Sequence, residues 1–382
     1  MDQNNIAMNL RRLREAKGYT QEEMANMAGI SRVAYRNIES GKSTPKVSTL
    51  QNIALGAGIK LQDLFVSVRT MEKVRFRALK KMHSRESILI EVARWLDDFS
   101  YLEKVLNDSK EYKFQALANR LDSLPDGEER AKFAAKEARV TLKLKPKEPI
   151  RDIAGLLESG GIKVYPYKLT SDKFFGLSVA KDEGGPAIIV NVWDRISVER
   201  WIFSAAHELG HLLLHLDSYN IDESVENKAE EKEADIFASY FLMPEEAFWR
   251  EWEDTYGLPL VNRVFKVKGI FQVSYKTVLY RLSEKYGNGI WGRFYAAYKA
   301  KTGKSLGIKD EPEALTQDKF QHSPEALRSR EPNSLLSSHF IEDRLSRLVR
   351  QAIEKDKITM SRGAEILKID LGSMRELVSS WV

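Results

Sequence analysis

The segment His207-Glu208-Leu209-Gly210-His211 has the residue types and the spacing of a metal-dependent hydrolytic site. Side chains four residues apart lie on one face of an α-helix, so both imidazoles can reach one ion while Glu208 points into the same cleft. Neutral imidazole is a common ligand of Zn²⁺, and a catalytic zinc site keeps one position open for water. The spacing therefore predicts a zinc protease centre with Glu208 as its general base.

Two histidines leave the metal one protein ligand short, and residues 229–235 offer several carboxylates. Apolar residues continue the helical face that begins at Glu231, which places Glu231 and, one turn further along, Asp235 on the buried side of the helix. This favours Glu231 as the third ligand. Glu233 is the main rival. A metal-bound imidazole usually donates its other N–H to a carboxylate or carbonyl, and we expect Asp235 to accept that bond.

Apolar residues on both sides of the motif indicate a buried helix. Buried histidines and a buried glutamate need a metal or a polar partner, although ordinary hydrogen-bonded core histidines remain the alternative. His215 continues the same face but lies about 6 Å beyond His211 along the helix axis. We expect His215 to support a ligand, or to end the helix, rather than to bind the metal.

Short motifs outside the histidine helix carry a family resemblance. They are Pro149-Ile150, Leu156-Leu157-Glu158, Gly161-Ile162, Gly176-Leu177-Ser178, Pro186-Ala187-Ile188-Ile189-Val190-Asn191, Glu231, Ala234-Asp235-Ile236-Phe237-Ala238 and Leu242-Met243-Pro244. Together with the histidines they resemble the ImmA/IrrE family of metallopeptidases. The resemblance implies a gluzincin-like zinc endopeptidase with His207, His211 and Glu231 as ligands and Glu208 as base. Many relatives have asparagine at the position of Asp235, and either side chain can accept a hydrogen bond.

Residues 6–65 have the pattern of a compact five-helix DNA-binding domain. Thr20 caps a short helix, Gly29 makes a turn, and a recognition helix runs from Ser31 to Glu39. We expect its early outward residues to reach base edges and flanking polar residues to reach phosphates. The predicted DNA contacts are Ser31, Arg32, Val33, Tyr35 and Arg36 on this helix, and Gln21, Lys42 and Lys46 beside it.

This stretch resembles the Cro/C1 or XRE helix-turn-helix family. The match is carried by Leu13-Arg14, residues 18–25, Ile38-Glu39-Ser40-Gly41-Lys42, Pro45 and Leu64-Phe65. Residues 6–65 hold nine Lys or Arg against five Asp or Glu, a modest excess that suits double-stranded DNA. A protein-interaction module built on the same fold is the alternative.

The whole-chain composition narrows the class of protein. The chain has 382 residues, 43% hydrophobic content and a net charge of +5, enough length for more than one domain. It contains no cysteine, which excludes disulfides and thiolate zinc ligands. The absence of a long apolar run and of a signal-peptide pattern predicts a cytoplasmic protein without a membrane span.

We expect an α+β fold that is mostly helical, with a small sheet whose strands lie near residues 163–165, 176–179 and 187–191. An edge strand of that sheet would align an extended peptide across the metal. The predicted domains are a five-helix helix-turn-helix domain at 1–66, a helical linker or dimerisation region at 67–145, a zincin-like peptidase domain at 146–300, a flexible linker at 301–340 and a C-terminal helical, helix-turn-helix-like module at 341–382.

The two resemblances together predict a DNA-binding regulator that cleaves a specific protein, a transcriptional repressor encoded nearby, in a stress-response, mobile-element or toxin–antitoxin setting. A homodimer would suit palindromic operator DNA. Zn²⁺ is the expected metal, while Mn²⁺ and Fe²⁺ suit the same donors. The alternatives are a transcription factor whose zinc domain senses a ligand or partner, and an antitoxin that acts by binding. His215, Tyr219 and Tyr240 are candidates for stabilising the oxyanion.

Overall fold

The computed structural model describes residues 3–59, 61–65, 71, 73–78, 85–171, 174–216, 227–320 and 343–381. The chain divides into two compact units, one of Met1–Met71 with Lys80–Phe99 and one of Glu72–Leu79 with Ser100–Val382. The described residues form seventeen α-helices and one four-stranded sheet. The expected mostly helical α+β fold is confirmed. No helix within these ranges is long and apolar enough to cross a membrane.

The first unit begins with the helix-turn-helix fold. Four helices, α1 (Gln3–Lys17), α2 (Gln21–Ala28), α3 (Arg32–Glu39) and α4 (Val47–Ala57), precede a 3-10 turn at Leu61–Leu64. That turn stands where a fifth helix is expected. Thr20 and Glu23 form a reciprocal capping box at the start of α2. Gly29 ends α2 with φ 67°, a left-handed conformation that glycine adopts without strain.

The region between the two predicted functional domains is mostly helical but contains a strand. It holds α5 (Arg85–Leu106), α6 (Gln115–Leu121) and α7 (Glu128–Thr141), and apolar side chains along α5 are buried. The helical pattern predicted for 67–145 fails at Val74–Ala78, which forms β1. Its sequence Val-Arg-Phe-Arg-Ala alternates with the period of a strand, but the surrounding charges hide so short a signal.

The sheet contains the three expected strands with β1 added at one edge. These strands are β2 (Lys163–Tyr167), β3 (Phe174–Val179) and β4 (Ala187–Asn191), and the order is β1-β3-β4-β2. β3 pairs antiparallel with both of its neighbours, whereas β2 and β4 are parallel. The edge of β3 that faces away from β4 is therefore covered by a strand of the same chain.

Two successive helices carry the histidines and the acidic segment. After α8 (Ile153–Ser159) and the strands, α9 (Val198–Leu214) packs on β3 and β4, and α10 (Lys228–Leu242) packs on α9 and α7. Ser197 caps α9. A Cβ added at Gly210 would lie 3.0 Å from the Phe237 ring and 3.3 Å from Ala234 Cα. The glycine of the histidine motif thus lets α10 approach α9 closely.

The remaining helices are α11 (Glu245–Glu253), α12 (Leu260–Phe271), α13 (Tyr275–Tyr286), α14 (Gly289–Thr302), α15 (Arg344–Glu354), α16 (Met360–Leu367) and α17 (Leu371–Ser379). The aromatic side chains of α14 pack mainly against the hydrophobic core that also contains the buried residues of the sheet, α9 and α10. The linker predicted at 301–340 is partly ordered, since Phe320 is buried against Trp201 and Glu311 pairs with the buried Lys268. The rest of that linker, residues 321–340, lies outside the described residues.

Candidate metal centre and nucleic-acid interface

Three side chains from α9 and α10 bring their ligand atoms together. One nitrogen each of His207 and His211 and a carboxylate oxygen of Glu231 all lie within 4.8 Å of one another. Each Nε2 atom is 3.2 Å from an oxygen of Glu231, and the two Nε2 atoms are 2.9 Å apart. Both imidazoles are fully buried, while Glu231 is 18% exposed. The opening to solvent is therefore on the Glu231 side.

The other ring nitrogen of each histidine fixes its tautomer. His207 Nδ1 lies 2.8 Å from Asp235 Oδ1, and since a carboxylate only accepts, this nitrogen carries the proton. His215 Nε2 likewise donates to Glu233 over 3.0 Å, so its Nδ1 accepts from His211 Nδ1 over 2.9 Å. Each Nε2 atom is therefore unprotonated, and its lone pair faces Glu231.

Charge and burial agree with this arrangement. Complete burial, reinforced by the neighbouring His207, lowers the pKa of His211 well below its ordinary value, so this imidazole is neutral at pH 7. The guanidinium of Arg75 donates to Glu231 over 3.1 Å, and this ion pair favours the ionised carboxylate. Three electron-pair donors thus converge on one point. This donor set fits a divalent cation such as Zn²⁺.

The rival ligand Glu233 lies away from that point. Its buried carboxylate accepts hydrogen bonds from Arg130 over 2.7 Å and from His215 over 3.0 Å. Arg130 also pairs with Asp126 over 2.6 Å. Glu233 therefore anchors His215, which in turn orients His211. Among the described residues, the cluster that could hold a metal contains Glu231 and not Glu233.

Glu208 is fully buried beside this cluster and is held by strand β3. Ser178 Oγ donates to Glu208 Oε2 over 2.8 Å. A Cβ added at Gly176 would lie 3.2 Å from Glu208 Oε1, so glycine leaves room for this carboxylate. The sequence motif contained both residues but gave them no role. Their spacing of two on a strand, which places them on one face, is the signal that could have revealed it.

Arg75 is a cation at the site that sequence reasoning missed. It lies on β1, and its guanidinium donates to Glu231 Oε1 over 3.1 Å and also to Glu230. Burial opposes the charge, but the two carboxylates raise the pKa of Arg75, which stays protonated. The residue is 156 positions from Glu231 in the chain. No local pattern could have paired them.

The three candidates for oxyanion stabilisation do not join the ligand cluster. His215 has both ring nitrogens engaged, with His211 and Glu233. Tyr240 donates its hydroxyl to Glu284 over 3.2 Å. Tyr219 lies outside the described residues.

Most of the predicted DNA contacts are exposed on the surface of the first unit. Val33 is 59% exposed, and Arg32 approaches Glu22 at 3.8 Å with most of its side chain in solvent. Arg36, Lys42 and Lys46 are exposed as well. Ser31 is exposed and caps α3 by accepting from Ala34 N over 3.2 Å.

Tyr35 and Gln21 differ from these contacts because both point to the buried Glu39. Tyr35 is fully buried and donates its hydroxyl to Glu39 over 3.4 Å, so it does not present a side chain to DNA. It falls on the inner face of α3, three residues before the buried Ile38. Gln21 and Arg14 each approach Glu39 at 2.5 Å. Glu39 thus ties three parts of the domain together.

Two segments of the chain match known protein families. Residues 158–283 match the peptidase M78 family model, described as an IrrE N-terminal-like domain. Residues 10–64 match a helix-turn-helix model. The chain thus contains one segment similar to helix-turn-helix domains and one segment similar to IrrE N-terminal-like domains. The IrrE-like match runs from the end of α8 through α13 and so contains both histidines and Glu231, whereas β1 and the C-terminal helices lie outside it.

Two further comparisons add little. No curated protein matches the chain. Four solved chains match, and one is the crystal structure of ComR from Streptococcus suis, which is 12% identical. That comparison covers 100% of this chain and 94% of ComR with a TM-score of 0.16. A TM-score this low supports no structural conclusion.

Proposed function

We propose that this protein is a DNA-binding regulator whose IrrE N-terminal-like domain is a zinc-dependent endopeptidase. Its substrate would be one specific protein, a transcriptional repressor encoded nearby, in a stress-response, mobile-element or toxin–antitoxin setting. The observation that carries the proposal is the convergence of the His207, His211 and Glu231 donor atoms beside the buried Glu208. A cytoplasmic location and a homodimer on palindromic DNA belong to the same proposal.

The chain would hold the metal through His207, His211 and Glu231. Zn²⁺ is the expected ion, and Mn²⁺ or Fe²⁺ would accept the same donors. When bound, such a metal supplies Lewis acidity, which activates water and polarises a peptide carbonyl. Asp235 and His215 would keep each imidazole in the tautomer that leaves Nε2 as the donor, a support that typically changes metal affinity about 10–100-fold.

Glu208 would move the proton. Ser178 holds its Oε2 oxygen and so fixes the orientation of the carboxylate, with Oε1 next to Gly176. We propose that Glu208 takes a proton from the attacking water and delivers it to the leaving amine of the cleaved peptide. Burial excludes competing solvent around this carboxylate.

The helix-turn-helix domain would bring the peptidase to the operator that its substrate controls. Exposed residues on and beside α3 supply the proposed contacts, with Ser31, Arg32, Val33 and Arg36 toward base edges and Lys42 and Lys46 toward phosphates. Gln21 would reach a phosphate only by leaving Glu39. Tyr35 is not part of this surface.

Expression of the genes beside the coding region, measured in cells, separates the proposal from its main alternative. We would compare the wild type, Glu208→Gln and the double variant Arg32→Ala with Arg36→Ala. Loss of the regulatory effect in both variants is expected for a DNA-directed peptidase. Loss only in the arginine variant would contradict proteolysis and favour a DNA-binding regulator whose zinc domain senses a ligand or partner. A stable stoichiometric protein complex with full function of both variants would favour an antitoxin.

A further inference from the structure

The strand β3 lines the catalytic centre and has two edges. One edge pairs with β4, and the other pairs with β1. Ser178 and Gly176 place the β3 face that carries them against Glu208. A strand added to the second edge therefore runs directly beside the candidate general base. Extended peptides commonly bind proteins by adding a strand in this way.

β1 occupies that position with a register that faces the site. Its Cα partners on β3 are Arg75 with Ser178 and Arg77 with Gly176. Directly opposed residues of antiparallel strands project to the same face of the sheet. Arg75 accordingly reaches the acidic side of the metal cluster, where it pairs with Glu230 and Glu231. The chain's own residues 74–78 thus lie where an extended peptide would cross the centre.

The interactions around β1 suggest a strand that can exchange. The strand is five residues long, and it follows Lys73, whose ion pair with Asp182 over 2.6 Å is largely exposed. Exposed ion pairs contribute little to stability, at most about 1 kcal/mol. The buried contacts of β1 are those of Val74 and those of Arg75 with its two carboxylates, of which Glu230 is not one of the metal-ligand candidates. Glu230 would therefore remain as an arginine partner when Glu231 binds a metal.

We propose that β1 is an intramolecular occupant of the peptide-binding edge of β3, and that the site accepts an extended, basic protein segment with an arginine opposite Ser178. Cleavage of that segment rests on the proposed peptidase function, whereas the exchange of one strand for another does not. An incoming segment displaces β1 and places its own arginine on Glu230. Occupation by β1 keeps the centre closed to other peptides.

The test uses the full chain without metal, in EDTA, and a fluorescent peptide with the sequence of residues 73–78, Lys-Val-Arg-Phe-Arg-Ala. Fluorescence anisotropy gives its affinity for the wild type, for Arg75→Glu and for Lys168→Glu. The Arg75→Glu change makes β1 repel Glu230 and Glu231. Both carboxylates remain available to bind the arginine of the peptide. Lys168→Glu makes the same charge change at an exposed ion pair with Asp194, beside β2 at the far edge of the sheet.

We expect Arg75→Glu to bind the peptide at least about 10-fold more tightly than the wild type, and Lys168→Glu to match the wild type. A peptide with glutamate in place of its first arginine should bind Arg75→Glu at least about 10-fold more weakly, because it loses the acidic partners. Equal affinity of wild type and Arg75→Glu, or no binding to either, would overturn the proposal and make β1 a fixed strand of the fold.

A second measurement in the wild type does not depend on how the variants fold. Amide hydrogen exchange is followed with and without excess peptide. Displacement predicts faster exchange in residues 74–78 with retained protection in residues 176–179, and unchanged exchange in 74–78 contradicts it. Both measurements are made without metal and therefore test strand exchange alone. Strand exchange without metal-dependent cleavage of any protein would contradict only the proposed peptidase, and cleavage of a protein without strand exchange would contradict only this inference.

Discussion

The candidate metal centre and the proposed DNA-binding surface place their side chains in opposite environments. In the helix-turn-helix domain the proposed contacts are exposed, and the buried polar hub of Tyr35 and Glu39 only supports them. At the candidate metal centre the side chains proposed to act, His207, His211 and Glu208, are themselves fully buried. Function and stability are therefore separable in the first region and coupled in the second.

The largest effect should follow removal of a ligand. His211→Ala deletes one of three converging donors, so zinc affinity should fall by more than the roughly 10–100-fold that loss of an outer partner causes. Isothermal titration with a competing chelator measures it. Lys232→Ala, an exposed change on the same helix as Glu231, serves as the matched control. Unchanged zinc affinity in His211→Ala would show that zinc binds at another site.

A smaller effect should come from the support of His207. Asp235→Ala removes the acceptor for His207 Nδ1, so zinc affinity should fall about 10–100-fold. Asp235→Asn keeps an acceptor oxygen and should restore most of it. Equal losses in both variants, measured by the same titration, would show that the charge of Asp235 matters rather than its hydrogen bond.

On the DNA-binding side, substitution should weaken binding without loosening the fold. Arg36→Ala should lower affinity for a duplex selected from random sequence about 10-fold, as expected for a lost base contact. The thermal midpoint should stay unchanged because Arg36 is exposed. Glu39→Ala provides the contrast, since it removes the shared partner of three side chains and should lower the thermal midpoint. A lowered midpoint in Arg36→Ala would break the separation of function from stability.

A separate prediction concerns the carboxyl of Glu158, a partly buried residue that is not one of the candidate metal ligands. Burial, together with the nearby Asp343, raises the pKa of Glu158 to about 8 from its ordinary value of 4.5, and the Arg344 backbone N–H donates to it over 3.2 Å. The folded chain therefore retains a proton that the unfolded chain releases. Stability contributed here is complete below pH 4.5 and is lost as pH rises through about 8.

Urea unfolding between pH 5 and 8 tests this effect. The wild type should lose stability with rising pH more steeply than Glu158→Gln, whose side chain cannot ionise. Equal slopes would show that Glu158 is not buried as a neutral acid.

The local parts of this structure were predictable from sequence, and the long-range parts were not. The helical period predicted that both histidines would lie close to Glu231 and that Asp235 would accept a hydrogen bond from a histidine. Capping and turn residues predicted α2 and α3. The same period argument misjudged burial at Asp235, whose side chain is 52% exposed. Arg75 escaped prediction because its contacts depend on the pairing of β1 with β3, which joins segments about 100 residues apart. Tyr35 shows that a resemblance to a DNA-binding fold does not decide which residues of a helix face outward.

The central claim is that the IrrE N-terminal-like domain cuts a specific protein. Purified wild type and Glu208→Gln, each with and without Zn²⁺ or Mn²⁺, should be incubated with the repressor-like proteins encoded beside the gene and read by intact-mass spectrometry. The account predicts two discrete fragments whose masses sum to that of one substrate plus water, produced only by the wild type with metal. Cleavage that persists in Glu208→Gln, or intact substrates under every metal condition, would contradict it.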